Sequence, residues 1–189
     1  NFSVHGANRL GAASLMQCAG DGYFIIPYTI TDYLSDQIKL PKFKTDLPEF
    51  EVKEAEVKAQ IAKLMSINGK QAPATFHRRL GKIMWDHCGM FRNEKGLKEG
   101  LEQLEELEKE FWTDLRVTGS ADELNQELEK AGRIIAFFKV GKLMILDALS
   151  RNESCGAHFR EESQTDTGEA KRDDANYSYV SAWEYKGED

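Results

Sequence analysis

The sequence predicts a mainly α chain, an up-down helical bundle of the spectrin-repeat type. Three observations carry that expectation. Apolar residues recur at alternating spacings of three and four through four successive segments between Phe50 and Leu149, which is the period of one helix face. Helix-ending and helix-starting residues fall between the segments. The connections are short, so consecutive helices pack antiparallel.

Taken in order, a first helix is expected just past Gly11, where Ala12-Ala13-Ser14-Leu15-Met16-Gln17-Cys18-Ala19 combines small residues with good helix formers. Asp21 to Leu40 is aromatic and β-branched with Pro27 inside it, and Pro41 and Pro48 bracket a short charged linker. That linker sets the first boundary, so that residues 1–46 precede the bundle, 47–150 form it and 151–189 follow it. Phe50, Val57, Ile61 and Leu64 mark the first amphipathic segment, and Asn68-Gly69 closes it. Phe76, Leu80, Ile83 and Met90 mark the second, with His87 in phase and Pro73 suited to its opening turn. Leu97, Leu101, Leu104, Phe111 and Leu115 mark the third, with a break near Asn93-Glu94 where Asn can cap and Gly119 past its end. Leu124, Leu128, Ala131, Ile135, Phe138, Ile145 and Leu149 mark the fourth, headed by the S-x-x-E box Ser120–Glu123. Beyond Arg151 the pattern stops, and an irregular tail ends in a strand-like Tyr177–Trp183.

Composition removes several classes of function. Lys+Arg 25 against Asp+Glu 32 leaves a net charge of -7, which repels a phosphate backbone and argues against nucleic acid. Cys18, Cys88 and Cys155 lie far apart without a C-x-x-C pair, so no zinc site or iron–sulfur ligand run assembles locally. An odd cysteine count fits a reducing compartment. No signal-like segment is read, and the apolar run Ile134–Phe138 is too short to span a bilayer. No direct membrane insertion is expected, and attachment to a membrane would come through partners.

The motifs narrow the reading further. Gly6 and Gly11 have the spacing of a phosphate loop, but Ala12-Ala13 stands where that loop needs Lys and Ser or Thr. His77 and His87 have no metal-spaced companion and are read as structural, and Met65, Met84, Met90 and Met144 as core filler. The run Ser3-Val4-His5-Gly6-Ala7-Asn8-Arg9-Leu10-Gly11, with Glu153-Ser154-Cys155-Gly156-Ala157-His158 and Arg172-Asp173-Asp174-Ala175-Asn176, resembles the S-V-H-G-A-N-R-L-G, E-S-R-G-A-H and R-D-D-x-N segments of succinate dehydrogenase and fumarate reductase flavoprotein subunits. The order of the three is the family's own. The stretch Leu15-Met16-Gln17-Cys18-Ala19-Gly20-Asp21-Gly22-Tyr23-Phe24 departs from the commoner S-L-L-D-L-V-V-F-G-R and is similar to a bacterial branch of the family.

The resemblance implies that the chain is the C-terminal portion of such a flavoprotein, with 1–46 a remnant of its FAD-binding domain and 151–189 a tail docking on it. It implies that Arg9 grips a carboxylate of succinate or fumarate. The residue suits the task, because a planar guanidinium holds a carboxylate by two parallel hydrogen bonds and stays charged. It also implies that the Ser14 and Leu15 amides face the flavin, where helix N–H dipoles favour charge gathering on the reduced ring, and that His5 lines the same pocket. His158 is read as a docking residue, and Cys155 replaces the family's arginine. The family's dinucleotide motif, attachment histidine, substrate histidines, proton-donating arginine and ribitol-side glutamate would lie upstream, so an isolated fragment is expected to hold no FAD and to be inactive, with no catalytic residue of its own. The implied partners are an iron–sulfur subunit and a quinone-linked membrane anchor subunit, with a cytoplasmic placement on the inner face of the cell membrane. Two alternatives remain open at this level: an L-aspartate oxidase-like flavoenzyme, which shares a similar H-G-A-N-R-L loop, and a non-catalytic helical interaction module.

Overall fold

A computed structural model describes residues 13–187. The described chain is mainly α, as the periodicity predicts. It opens with α1 (Ala13–Gly20), passes through a π-helical turn at Asp21–Ile25 and continues as α2 (Ile26–Leu34). The widened turn suits its sequence. Pro27 has no N–H to give to an α-helical ladder and its ring crowds the preceding turn, and a π-turn is one way a helix absorbs such a misfit. The Gln17 amide donates to Asp21 Oδ1 across the junction at 2.6 Å, and the Thr29 and Thr31 hydroxyls donate to the carbonyls of Ile25 and Pro27 four residues back. The β-branched composition of this stretch therefore does not stop the helix. No residue from 13 to 63 is buried.

The core is built from three helices. These are α4 (Pro73–Cys88), α5 (Glu94–Asp114) and α6 (Gln126–Ser150), preceded by α3 (Pro48–Ser66). Phe76, Phe111 and Phe138, one from each helix and all 0% exposed, meet edge-on, with ring centroids 5.3 Å and 5.5 Å from Phe111. Burying each is worth roughly 1.5–3 kcal/mol, and the edge-on contacts add about 0.5–1.5 kcal/mol apiece. Arg79 pairs with Glu110 and Lys142 with Glu105 on the rim; α4 and α5 run antiparallel, with Phe76 against Phe111 at one end and His87 against Gly100 at the other. The helices come close where side chains are small. A Cβ at Gly100 would meet His87 Cβ at 2.6 Å, and one at Gly141 would meet Leu104 and Met84 at 3.1 and 3.2 Å. His87 is thus a packing residue, as expected, whereas His77 is exposed and stacks on Phe137 with centroids 5.6 Å apart.

Several details differ from the sequence reading. The first amphipathic segment joins the core only at its end: Leu64 is buried, but Phe50 and Val57 stay about half exposed. Helix α4 stops at Cys88, so Met90 lies outside it and is 72% exposed; Met144 is also largely exposed, and only Met84 of the expected filler packs against the core cluster. The S-x-x-E box does not start the fourth helix. Glu123 accepts from Ser120 N and the Ser120 hydroxyl from Asp122 N within a loop, Leu124 is 97% exposed, and Asn125 is the cap, accepting from the amides of Glu127 and Leu128 at 3.0 Å. The cap lies five residues beyond Ser120, and Asn serves there because it is as good a cap as Ser. In the tail, Asp174–Tyr177 forms a helical turn, α7, and no strand follows among the described residues. The break near Asn93 is as expected, with Asn93 Oδ1 accepting from Gly96 N at 2.7 Å.

Candidate functional site

Arg9 and His5 lie outside the described residues. Ser14 and Leu15 stand at the start of α1, Ser14 half-buried and Leu15 66% exposed, on the surface where the aromatic and aliphatic side chains of α1, the π-turn and α2 also lie open.

The most ordered polar site is at the opposite end of the sequence. After α6 the chain doubles back, and Phe159–Arg160 (β2) pairs in parallel with Phe91–Arg92 (β1), the link between α4 and α5. The two tail motifs meet there. Ser154 N donates to the Lys171 carbonyl at 2.9 Å, and Glu153 Oε2 accepts from Asp173 N at 3.3 Å. Glu153 is 3% exposed and its other oxygen holds Arg151 at 2.6 Å. The Ser154 hydroxyl accepts from Arg160 N at 2.8 Å and donates to the Arg160 carbonyl at 3.1 Å. Gly156 at φ 61 makes the turn that lets Cys155 and His158 exchange backbone hydrogen bonds, a conformation costly for any residue with a Cβ. In the second motif Asp173 caps α7 through Asn176, and Arg172 pairs with Asp174.

The buried groups close both adjoining helix ends. Arg160, 2% exposed, donates from Nη1 to the carbonyls of Ala148 and Arg151 at 3.0 and 3.3 Å, a cation on the last turn of α6. Its Nε holds Glu162, whose other oxygen accepts from Glu94 N in the first turn of α5. Burial would raise the Glu162 carboxyl, but the Glu94 amide and the Arg160 guanidinium outweigh it and hold it below the usual carboxylate range. Asn93 Nδ2 donates to Glu161 Oε2 at 2.6 Å.

His158 sits at the centre and is 5% exposed. Its Nδ1 is 2.9 Å from Arg92 Nη1 and its Nε2 is 2.9 Å from the Arg151 carbonyl. A guanidinium offers no lone pair and a carbonyl no proton, so Nδ1 must accept and Nε2–H must donate. The ring is neutral. Burial pushes its pKa below the ordinary imidazole value; the Nε2–H bond to the Arg151 carbonyl opposes that, and the charges of Arg151, Arg92 and Arg160 reinforce it. With both nitrogens engaged, the ring holds the tail in place and has no free position for acid or base work. In the described residues the ring ties the tail to the end of the bundle, whereas the expected docking was on the flavin domain.

Arg92, Arg151, Arg160 and Glu162 were not legible as a group in the sequence. One signal was there: the last carbonyls of any helix need donors, and a polar tail without an apolar stripe, carrying two arginines soon after α6, is placed to supply them. Among the described residues, no group of His, Cys, Asp and Glu could hold a metal ion.

The family model described as fumarate reductase flavoprotein C-term matches residues 77–189, which takes in most of the bundle core and the described tail network. The chain belongs to that family. A fumarate reductase flavoprotein subunit of Helicobacter pylori is 31% identical over 84% of this chain and 21% of its own length, and a succinate dehydrogenase flavoprotein subunit of Coxiella burnetii 29% identical over 93% and 27%. An uncharacterized FAD-dependent oxidoreductase of Methanocaldococcus jannaschii is 31% identical over 84% of this chain and 26% of its own. In structure, E. coli quinol fumarate reductase matches with a TM-score of 0.71 at 26% identity, over 92% of this chain and 28% of that one; the Mycobacterium smegmatis Sdh1 complex gives 0.68 at 28%, over 84% and 25%. This fumarate reductase-type chain thus spans about a quarter of the length of the relatives it matches.

Proposed function

We propose that this chain is the C-terminal part of an FAD-dependent oxidoreductase that interconverts succinate and fumarate and passes electrons to an iron–sulfur subunit. The observation that carries the reading is the run Ser3–Gly11, with its N-R-L-G ending, on a chain whose helical part belongs to the fumarate reductase flavoprotein C-terminal family. Residues 1–46 are then the end of an FAD-binding domain, 47–150 a bundle of spectrin-repeat type and 151–189 a tail closing it. Arg9 binds a substrate carboxylate.

The described residues fit one edge of a flavin pocket and no more. Ser14 and Leu15 stand at the start of a helix whose side chains are uncovered, as expected of a surface completed by further protein. FAD, when bound, supplies the hydride acceptor. The part of this chain is to orient substrate through Arg9, to present the Ser14 and Leu15 amides to the ring, and to line the pocket with His5. The partners in this reading are an iron–sulfur subunit and a quinone-linked anchor, which keep the flavoprotein on the inner face of the cell membrane. No described helix is long and apolar enough to cross a membrane.

The test is Arg9→Lys in the full-length enzyme. Lysine keeps the charge but loses the planar fork, so the carboxylate is held with worse geometry and the reacting carbon is misplaced. Steady-state turnover per bound flavin should fall by orders of magnitude, with flavin content unchanged. Near-normal turnover would refute the role of Arg9, and loss of flavin alongside activity would make it a structural residue of its loop.

A further inference from the structure

We propose that His158 is a proton-operated latch: when its ring takes up a proton, the tail segment from Glu153 to Tyr177 lets go of the ends of α5 and α6. The geometry leaves the ring one charge state. Nδ1 accepts from the Arg92 guanidinium and Nε2–H donates to the Arg151 carbonyl, in a site 5% exposed. A proton on Nδ1 turns that acceptor into a donor facing another donor, so the Arg92 bond is lost and replaced by repulsion between two cations.

The surroundings offer no relief. From β1 the ring faces Arg92, from the end of α6 Arg151, and from β2 Arg160; on its own turn stand Glu153 and Cys155, the latter through its backbone. The carboxylates of the network are already taken, Glu153 by Arg151 and Glu162 by Arg160 and the Glu94 amide. Several of the contacts that hold the tail are built around this turn. Cys155 and His158 close it, Ser154 is tied to Arg160, and Arg160 reaches the α6 carbonyls. Losing the His158 contacts thus weakens the hold of Arg160 on the last turn of α6 and, through Glu162, the hold on the first turn of α5.

The linkage has a definite sign. The folded ring resists protonation, so below the ordinary imidazole value of about 6.5 the released state binds more protons, and closure weakens as pH falls. With the closed ring taking up no proton, the opening equilibrium shifts by at most about tenfold one pH unit below that value. The test is hydrogen–deuterium exchange on the 189-residue chain at pH 7.5 and 5.5, expressed as protection factors to remove the intrinsic pH dependence, for wild type and His158→Gln. Glutamine keeps one donor and one acceptor but takes no proton.

Tail amides of Ser154 and Arg160 should lose protection by up to about tenfold in the wild type, with α5 amides around Leu104 unchanged and the variant insensitive to pH. Unchanged tail protection in the wild type would overturn the latch. So would an equal loss in both proteins, or a loss shared by the whole bundle. Should the variant's tail be open at both pH values, NMR titration of the wild-type ring decides: the Ser154 and Arg160 amides must move in step with the His158 ring, and a ring that titrates while they stay still overturns the proposal.

Discussion

Ser154 shows how much one small side chain can settle. Its hydroxyl both accepts from and donates to Arg160, and its amide reaches Lys171, so it registers β2 and the Lys171 stretch of the tail at once. Replacing it with alanine leaves the buried Arg160 amide without a partner. Ser154→Ala should cost ~1–3 kcal/mol, read as a lower urea midpoint with unchanged slope. None of this was legible from Ser154 alone, because a serine in a polar stretch signals a turn or an exposed site equally well. What made the site visible was the resemblance of its neighbours Glu153 and His158 to a known motif. Arg160 and Arg92 had no such help; their roles depend on the fold bringing β1 beside β2.

Among the elements, the capping of α6 separates two readings cleanly. Asn125 accepts from the amides of Glu127 and Leu128 and also donates to the carbonyls of Thr118 and Ser120, whereas Ser120 serves only the preceding loop. Asn125→Ala should cost about 0.5–2 kcal/mol, and Ser120→Ala should lie within ~0.5 kcal/mol of wild type, both by thermal or urea denaturation. The helices of the core were legible because periodicity reports burial, and burial is what α4, α5 and α6 share. Helix α3 carries the same spacing with only Leu64 buried, so its stripe reports a surface that the described residues do not cover. Gly69 is another constraint that spacing does not reveal. The loop after α3 lies against the end of α5, with Gly69 N donating to the Leu115 carbonyl at 3.0 Å, and any Cβ at Gly69 would run into the Asp114 backbone. Gly69→Ala should destabilise by ~1–3 kcal/mol through overpacking, checked by the shift in melting temperature.

At the scale of the molecule, the apolar stripes suggest that residues 48–150 suffice as a folding unit, while the structure makes the tail part of that unit. A chain ending at Ser150 keeps every core phenylalanine but loses the Arg160 hydrogen bonds to the α6 carbonyls. It should stay helical by circular dichroism yet unfold at lower urea, by ~1.5–3 kcal/mol, the worth of hydrogen bonds to a charged group. A truncated chain as stable as the full one would show that the network merely decorates the bundle. The chain as it stands should purify without colour, since Ser14 and Leu15 offer too few contacts to repay the cost of ordering a flavin. Flavin absorbance that survives gel filtration would show the pocket to be misplaced.

The β1–β2 pairing also sets an order in time. The α4–α5 and α5–α6 hairpins join neighbours in sequence, but Phe91 meets Phe159 only after the whole of α5 and α6 intervenes, and closing a longer loop costs more entropy and slows its formation. In stopped-flow refolding, emission from Trp112, packed on Phe111, should recover before that of Trp183, whose Nε1 donates to Asp147 in α6. Synthesis runs in the same direction. Because Arg160 follows Ala148 by only 12 residues, the last turn of α6 and the arginine that closes it leave the ribosome nearly together, so that helix end waits only for β2 to find β1.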